Sequence, residues 1–187
     1  INDFYNGGTD SMGNSGTDYG IGFGTNTLGV IDSDAGGSGN IANEPSGETA
    51  MFFLTGTAVL NYSAGFDTGF SFFYSSSTVA SVFVYDGLDA TGNLLATLDL
   101  TAQYSDNCSG DPSGDFCNWT AVGASFAGTA YSIDFGGTVN QIAYDDITFG
   151  SATAGGGNDD PTPAPAPAGL ALLGLGLALM SKKRIVK

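Results

Sequence analysis

The sequence predicts an all-β fold, an antiparallel β-sandwich, for residues 1–150. Short apolar runs alternate with polar residues at a period of two, which is typical of strands with one buried face. Segments rich in Gly, Ser, Thr, Asn and Asp separate these runs at short, regular spacing, as in sandwiches. No segment of residues 1–150 carries a helical stripe with caps, and the sequence therefore favours strands throughout.

The alternation is clearest in two runs. Around residue 83, Val82 and Val84 face one way while Phe83 and Tyr85 face the other. The segment 86–93 that follows is rich in turn-forming residues and predicts a connection between two strands. The predicted strands lie at residues 19–24, 27–31, 50–54, 57–61, 68–74, 79–86, 94–100, 118–126, 130–135 and 140–149.

The charge distribution excludes several classes of function. All nineteen acids lie in residues 1–181, and the four bases are Lys182, Lys183, Arg184 and Lys187. With no base to displace phosphate counterions, the domain cannot bind nucleic acid as a partner. With no His in the chain and no Lys before residue 182, the domain has neither of these side chains to act as the base for a serine nucleophile. We expect a protein that is not an enzyme, although a pair of carboxylates would suffice for a glycosidase.

The two cysteines, Cys108 and Cys117, flank a polar loop. No His or further Cys completes a zinc site, and a disulfide that closes this short loop is the favoured interpretation. It would place the protein in an oxidising compartment. Two inert buried thiols are the alternative.

The composition changes after residue 150. Residues 151–167 form a linker, first rich in Gly and Asp, then with Pro and Ala alternating, which favours a polyproline-II spacer. Residues 168–187 contain a continuous apolar run followed by the basic cluster, and predict a short C-terminal hydrophobic helix that anchors the chain in a membrane. The alternative is a core helix of the domain.

The order of Pro-rich spacer, Leu/Gly/Ala run and basic cluster resembles the PEP-CTERM sorting signal of Gram-negative bacteria. The resemblance covers residues 165–184 and implies a processing enzyme of the exosortase type as a partner. The residues that carry it are Pro165, Pro167, Lys182, Lys183 and Arg184, and Ala166 stands where the motif has Glu. It further implies a cell-surface or extracellular location, with transient attachment to the inner membrane.

Several segments of residues 1–150, among them Phe4-Tyr-Asn-Gly-Gly-Thr and Val84-Tyr-Asp-Gly-Leu-Asp, resemble PEP-CTERM ectodomains. That resemblance implies a jelly-roll-like sandwich. By analogy with jelly-roll modules, whose first and last strands lie side by side, it also implies a Ca²⁺ site. The oxygen ligands expected there are Asp3, Asn43, Glu44 and Asp146. The alternative is that Asp145 and Asp146 are edge-strand acids that prevent aggregation.

These observations lead to a structural or adhesive protein of the cell surface or extracellular matrix, capable of self-association into a homopolymeric filament. A Ca²⁺-dependent carbohydrate-binding module is the alternative, with an extracellular polysaccharide as partner. Trp119 is its candidate glycan contact, with Tyr85, Tyr104 and Tyr131 as further exposed aromatic candidates. A glycan-degrading enzyme is the third possibility.

Overall fold

A computed structural model describes residues 1–103, 108–109 and 114–155 of the 187-residue chain. Within these ranges every regular element is a strand, and all strand pairs are antiparallel. The strands are β1 (Ile21–Phe23), β2 (Thr27–Ile31), β3 (Thr49–Phe53), β4 (Ala58–Phe66), β5 (Gly69–Ser76), β6 (Ala80–Tyr85), β7 (Leu94–Leu100), β8 (Thr120–Ser125), β9 (Ala130–Phe135) and β10 (Ile142–Phe149). The predicted antiparallel sandwich is confirmed.

The strands form two five-stranded sheets. Sheet A has the order β1-β4-β9-β6-β7, and sheet B has the order β2-β3-β10-β5-β8. From β3 onward, successive strands give the orders 4-9-6-7 and 3-10-5-8, which is the double Greek key of an eight-stranded jelly roll. Strands β1 and β2 each extend one sheet at the same side of the sandwich.

The main core lies between the sheets and is dominated by aromatic rings. Phe72, Phe135 and Tyr144 are fully buried, and their ring centroids lie 4.9–5.7 Å apart in edge-to-face arrangements. The Tyr144 hydroxyl donates to the Gly136 carbonyl, and burial raises the pKa of this phenol. Since the unit Ile1–Gly157 contains all ten strands and this core, we expect it to fold on its own.

A smaller apolar cluster covers part of the outer face of sheet B. Ala50 of β3 and Ala143 of β10 contribute from the sheet, and Ile41 and Phe116 contribute from loops. The predicted disulfide between Cys108 and Cys117 is present next to Phe116, with 5.7 Å between the two Cα atoms. It holds the chain that carries Phe116 against the sheet.

Residues 151–155, which the sequence assigns to the linker, lie against the outer face of sheet B. The Ser71 hydroxyl donates to the Ser151 carbonyl at 2.9 Å, and the Gly150 N–H donates to the Gly69 carbonyl at 2.9 Å. A Cβ atom at Gly123 would lie 2.1 Å from the carbonyl oxygen of Ala152, so only glycine allows this close approach.

Three predicted features lie outside the described residues. They are the later part of the linker, the hydrophobic helix of residues 168–187, and the sorting residues Pro165, Pro167, Lys182, Lys183 and Arg184. A search of the described ranges finds no helix with the length and apolar character needed to cross a bilayer.

Candidate ligand-binding face on sheet A

The outer face of sheet A presents two aromatic side chains next to each other on strand β6. Val82 and Val84 point into the core and are fully buried, so the intervening Phe83 and the following Tyr85 point outward. Both rings are half-buried and accessible to solvent. This confirms the alternation that the sequence predicts for this strand.

The neighbouring strand β9 places polar groups beside these rings. Phe83 is opposite Asp134, and Tyr85 is opposite Ser132. Asp134 Oδ1 is buried, and it accepts no hydrogen bond from the residues that the structure describes. An acceptor left in this state costs about 1–3 kcal/mol.

The loop 86–93 closes one end of the face. The Ser132 hydroxyl donates to the Gly87 carbonyl and accepts the Ala90 N–H at 2.9 Å. Asn61 of β4, which is opposite Ser132, binds Asp89 through two hydrogen bonds. The loop is therefore fixed to two strands of sheet A.

This loop contains local backbone strain. Asp89 and Ala90 are consecutive non-glycine residues with φ of +55° each. Such conformations cost roughly 1–3 kcal/mol each and are concentrated at functional sites, where neighbouring contacts enforce them. At the base of the loop, the Asp86 carboxylate accepts hydrogen bonds from the side chain and backbone of Asn93, and these bonds lower the pKa of Asp86.

The N-terminal loop borders the opposite side of the face. Gly22 of β1 is opposite Asn61, and a Cβ atom at Gly22 would lie 3.3 Å from Asn6 Nδ2. Asn6 Nδ2 donates to Asp3 Oδ1 at 2.7 Å. The face thus combines accessible aromatic rings with carboxylate, amide and hydroxyl groups, and loops limit it on two sides.

Of the residues predicted to bind Ca²⁺, Asp3, Asn43 and Glu44 lie in loops, and Asp146 lies on β10. Asp3 is exposed in the N-terminal loop, and Asn43 is exposed with φ of +57°. It is Asp145, rather than Asp146, that contacts the loop after Asn43, because Ser46 donates to it from its N–H at 3.1 Å and its hydroxyl at 3.3 Å. In the described ranges, no three acidic or cysteine side chains lie close enough together to hold a metal ion.

The position of β10 corrects two expectations. β10 pairs with β3 and β5 in sheet B, whereas β1 belongs to sheet A, so the first and last strands are not side by side. For the same reason Asp145 and Asp146 are not edge-strand acids. Asp145 is almost fully buried, and this burial raises the pKa of its carboxyl group.

The aromatic candidates have different surroundings. Trp119 is half-buried against the small cluster on sheet B and donates its indole N–H to the Ala42 carbonyl at 2.9 Å. Tyr131 is half-buried next to Gly65, and Tyr104 lies outside the described residues. Of the aromatic candidates, Tyr85 is the one placed on the outer face of sheet A.

Sequence reasoning missed the other members of this face. Phe83 follows from the alternation around Tyr85, so its outward orientation was available from the sequence. Asp134, Ser132 and Asn61 were not, because only the pairing register of β4, β9 and β6 brings them beside the aromatic rings.

A second concavity lies on the outer side of sheet B. It is a cleft of about 260 Å³ lined by Val30, Phe52, Leu54 and Phe116 among others. At its rim the Asn40 side-chain amide donates to Asp115 Oδ2 at 3.0 Å and is thereby occupied.

No protein-family model matches the chain, and no curated protein matches it. The chain is similar in structure to a family 6 carbohydrate-binding module, with a TM-score of 0.41, 14% identity, and coverage of 68% of this chain and 83% of the other. A similar likeness links it to CsCBM6-3 from Clostridium stercorarium in complex with cellobiose, with a TM-score of 0.42, 16% identity, and coverage of 68% and 84%. It also resembles a glycoside hydrolase family 43 arabinoxylan arabinofuranohydrolase from Bacillus subtilis in complex with cellotetraose, with a TM-score of 0.42, 16% identity, and coverage of 67% and 24%.

Proposed function

We propose that this protein is a non-catalytic carbohydrate-binding module that acts outside the cell. The observation that carries the proposal is the outer face of sheet A, where Phe83 and Tyr85 lie beside the Asp134 carboxylate and below the loop 86–93. Of the functions considered from the sequence, this face supports carbohydrate binding best.

The chemistry of sugars matches this face. A pyranose ring has apolar C–H faces and a rim of hydroxyl groups, so it packs against an aromatic ring and donates hydrogen bonds at its edge. Phe83 and Tyr85 supply rigid apolar surface with little side-chain entropy to lose. Next to Phe83, the half-buried Asp134 supplies a carboxylate that can accept hydrogen bonds from sugar hydroxyls.

The charge of the domain selects among carbohydrates. Residues 1–181 contain no Lys, Arg or His, and the formal net charge of the chain is -15. Uronate-containing or sulfated polymers would be repelled by this field. The ligand class is therefore neutral polysaccharide.

The extracellular location is supported by the Cys108–Cys117 disulfide, since such bonds persist in oxidising compartments. Delivery through a PEP-CTERM-type signal, exosortase-type processing and transient attachment to the inner membrane are part of the proposal. They rest on the composition of residues 165–187. Mass spectrometry of the native protein checks whether that signal is removed.

The proposal is tested by affinity electrophoresis of the unit Ile1–Gly157 in gels that contain neutral or anionic polysaccharides, followed by calorimetry with the matching oligosaccharide. Phe83→Ala and Tyr85→Ala are each expected to weaken binding by about tenfold or more, equivalent to about 1.4 kcal/mol. Leu54→Ala, in the cleft of sheet B, is the matched control and should bind as the wild type does. Binding that survives both aromatic substitutions, or a complete lack of binding to neutral polymers, would contradict the proposal.

The same experiment separates a binding module from a glycan-degrading enzyme. A module leaves the polysaccharide intact, whereas release of reducing ends that stops with Asp134→Asn would assign catalysis to this face. Ca²⁺ dependence stays a prediction from the resemblance. A melting temperature that EDTA lowers and added Ca²⁺ restores would support it.

A structural or adhesive role at the cell surface is the second candidate. The observation that favours it is strand β8, an edge strand of sheet B without a charged residue. Such a role is compatible with carbohydrate binding, because the two would use opposite sheets of the sandwich.

A further inference from the structure

The edge strands at the two sides of the sandwich differ in whether other backbone segments cover their free edges. At one side, the edge of β1 is covered by the N-terminal segment, since the N–H groups of Ile21 and Phe23 donate to the carbonyls of Tyr5 and Asn2. The edge of β2 is covered as well, because the Gly39 N–H donates to the Ile31 carbonyl at 2.8 Å and the N-terminal amine binds the Thr27 carbonyl. Both edges are thereby protected from pairing with another chain.

At the other side, no hydrogen bonds from the part of the chain that the structure describes cover the free edge of β8 in this way, although β7 of sheet A lies next to β8. β8 pairs with β5 along one edge, and no other described residue bonds to the backbone of residues 121–125. Its sequence, Thr-Ala-Val-Gly-Ala-Ser, contains none of the charges, prolines or bulges that natural proteins use to block an edge. An open edge of this type is a template for strand addition.

The charge pattern indicates which partner fits this edge. The stretch from Phe116 to Ile133 contains no charged residue, although acids occur at Asp115 and Asp134 on either side. Two copies of so acidic a protein repel each other least where such uncharged segments meet. The other uncovered edge, β7, contains Asp99, and a like charge brought opposite it would oppose pairing.

We propose that β8 is a homotypic interaction surface, at which two copies of this chain pair their β8 strands antiparallel about a twofold axis. This inference goes beyond the proposed carbohydrate binding and does not depend on it. The two B sheets then form one continuous sheet of ten strands, and the Phe83 and Tyr85 faces of both copies stay accessible.

The alternation of β8 fixes the register of the pair. Val122 and Ala124 face the core, while Ala121, Gly123 and Ser125 face outward. Directly opposed residues in an antiparallel pair lie on the same face, so the twofold axis must pass through a residue rather than between two. The central positions, Val122 and Gly123, are the two candidates. Either register continues the apolar layer from one copy into the other.

The proposed β8–β8 interface is small and joins no more than two copies. A twofold interface uses the same surface on both copies and therefore ends at a dimer, not a filament. One six-residue strand per copy buries less than the roughly 1,200 Å² of stable interfaces, so the dimer should depend on concentration. Salt should strengthen it, because raising the ionic strength from about 0.02 M to about 0.5 M shortens the screening length from about 20 Å to about 4 Å.

Sedimentation velocity of the unit Ile1–Gly157 at both salt concentrations tests the proposal. The wild type is expected to form dimers at high concentration, and more of them at high salt. Ala121→Asp and Ser125→Asp, both at exposed outward positions of β8, should each reduce the dimer at least tenfold. Thr97→Asp adds the same charge to the β7 edge and should not reduce it.

Circular dichroism checks that each variant is folded. If Ala121→Asp does not fold, Ser125→Asp alone tests the role of β8. A wild type that stays monomeric at high salt and high concentration would overturn the proposal. So would loss of the dimer in Thr97→Asp together with its persistence in both β8 variants. Neither outcome affects polysaccharide binding by sheet A, so the two proposals fail separately.

Discussion

Asn61 and Asp89 bind each other through two hydrogen bonds that join strand β4 to the loop 86–93. The Asn61 side-chain amide donates to Asp89 Oδ1 at 2.7 Å, and the Asp89 N–H donates to Asn61 Oδ1 at 2.8 Å. Both groups of one amide are thereby used to hold the left-handed backbone conformation of Asp89, whose φ is +55°.

Replacing this amide should release the loop. Asn61→Ala is expected to lower the free energy of unfolding by about 1–2 kcal/mol, because it removes two hydrogen bonds and leaves the strain unopposed. It should also weaken polysaccharide binding next to Tyr85. Asn118→Ala, which removes one exposed hydrogen bond to the Gln103 carbonyl, is the control for chemical denaturation. Equal losses in the two variants would contradict a special role for Asn61.

The strain in the loop can be measured directly at Ala90. Glycine adopts φ of +55° without steric cost, and Ala90→Gly removes only a methyl group. We expect the variant to be more stable by up to about 1 kcal/mol in thermal unfolding. Ala96→Gly, in the middle of β7, is the matched substitution without positive φ and should be destabilising.

The Cys108–Cys117 disulfide should contribute substantially to stability. It closes a loop with a sequence separation of 9 residues, for which chain entropy gives about 2–3 kcal/mol. The double substitution Cys108→Ser with Cys117→Ser should lower the free energy of unfolding in urea by that amount. Reducing agent should destabilise the wild type to the same level and leave the double variant unchanged.

Asp145 should make stability depend on pH. Its pKa is raised by burial, so the folded state holds the proton more tightly than the unfolded state does. The stabilisation from this bound proton is therefore complete below the ordinary pKa of 3.8 and is lost as the pH rises through the folded pKa. At neutral pH the ionised group carries a desolvation cost.

Asp145→Asn mimics the protonated carboxyl group at every pH. We expect the variant to be more stable than the wild type near pH 7. The difference should shrink as the pH falls through the raised folded pKa of Asp145 and should be gone below its ordinary value of 3.8. Urea unfolding at several pH values measures it. Glu48→Gln makes the same carboxylate-to-amide change at an exposed position of the loop that Asp145 contacts through Ser46, and is the control. A pH-independent difference for Asp145→Asn would contradict this account.

The contact of residues 151–155 with sheet B depends on Gly123. Gly123→Ala would place a methyl group 2.1 Å from the Ala152 carbonyl oxygen, an overlap that residues 151–155 must relieve by moving. We expect a loss of about 1–3 kcal/mol and faster hydrogen exchange of the N–H groups of Gly150 and Thr153. Gly29→Ala on β2 meets only ordinary contacts, the nearest at 3.6 Å, and is the control.

Strand positions were predictable because each strand carries its own pattern. Every predicted run overlaps one strand, and the bounds of β2, β7 and β9 agree to the residue, although β4 continues to Phe66, five residues beyond its predicted run. The cysteine pairing was equally local, since the chain has two cysteines. These features depend on residues that are close together in the sequence, so one sequence is enough to predict them.

Features that depend on pairing were not predictable. Phe83 is beside Asp134 only because β6 and β9 are neighbours in this register. The contact of Asp145 with Ser46 was not predictable for a related reason, because a register shift follows Asp145 and φ of +49° at Asp146 interrupts the alternation. No pattern within residues 140–149 shows this irregularity.

The position of residues 151–155 on sheet B determines which attachment points leave the opposite sheet accessible. These residues, the last ones that the structure describes, lie on the side of the sandwich away from Phe83 and Tyr85. Immobilising the domain through its C-terminal end, on a bead or on a cell, would therefore leave a long glycan free to lie across the opposite side. A tether attached at the loop 86–93 would instead block it.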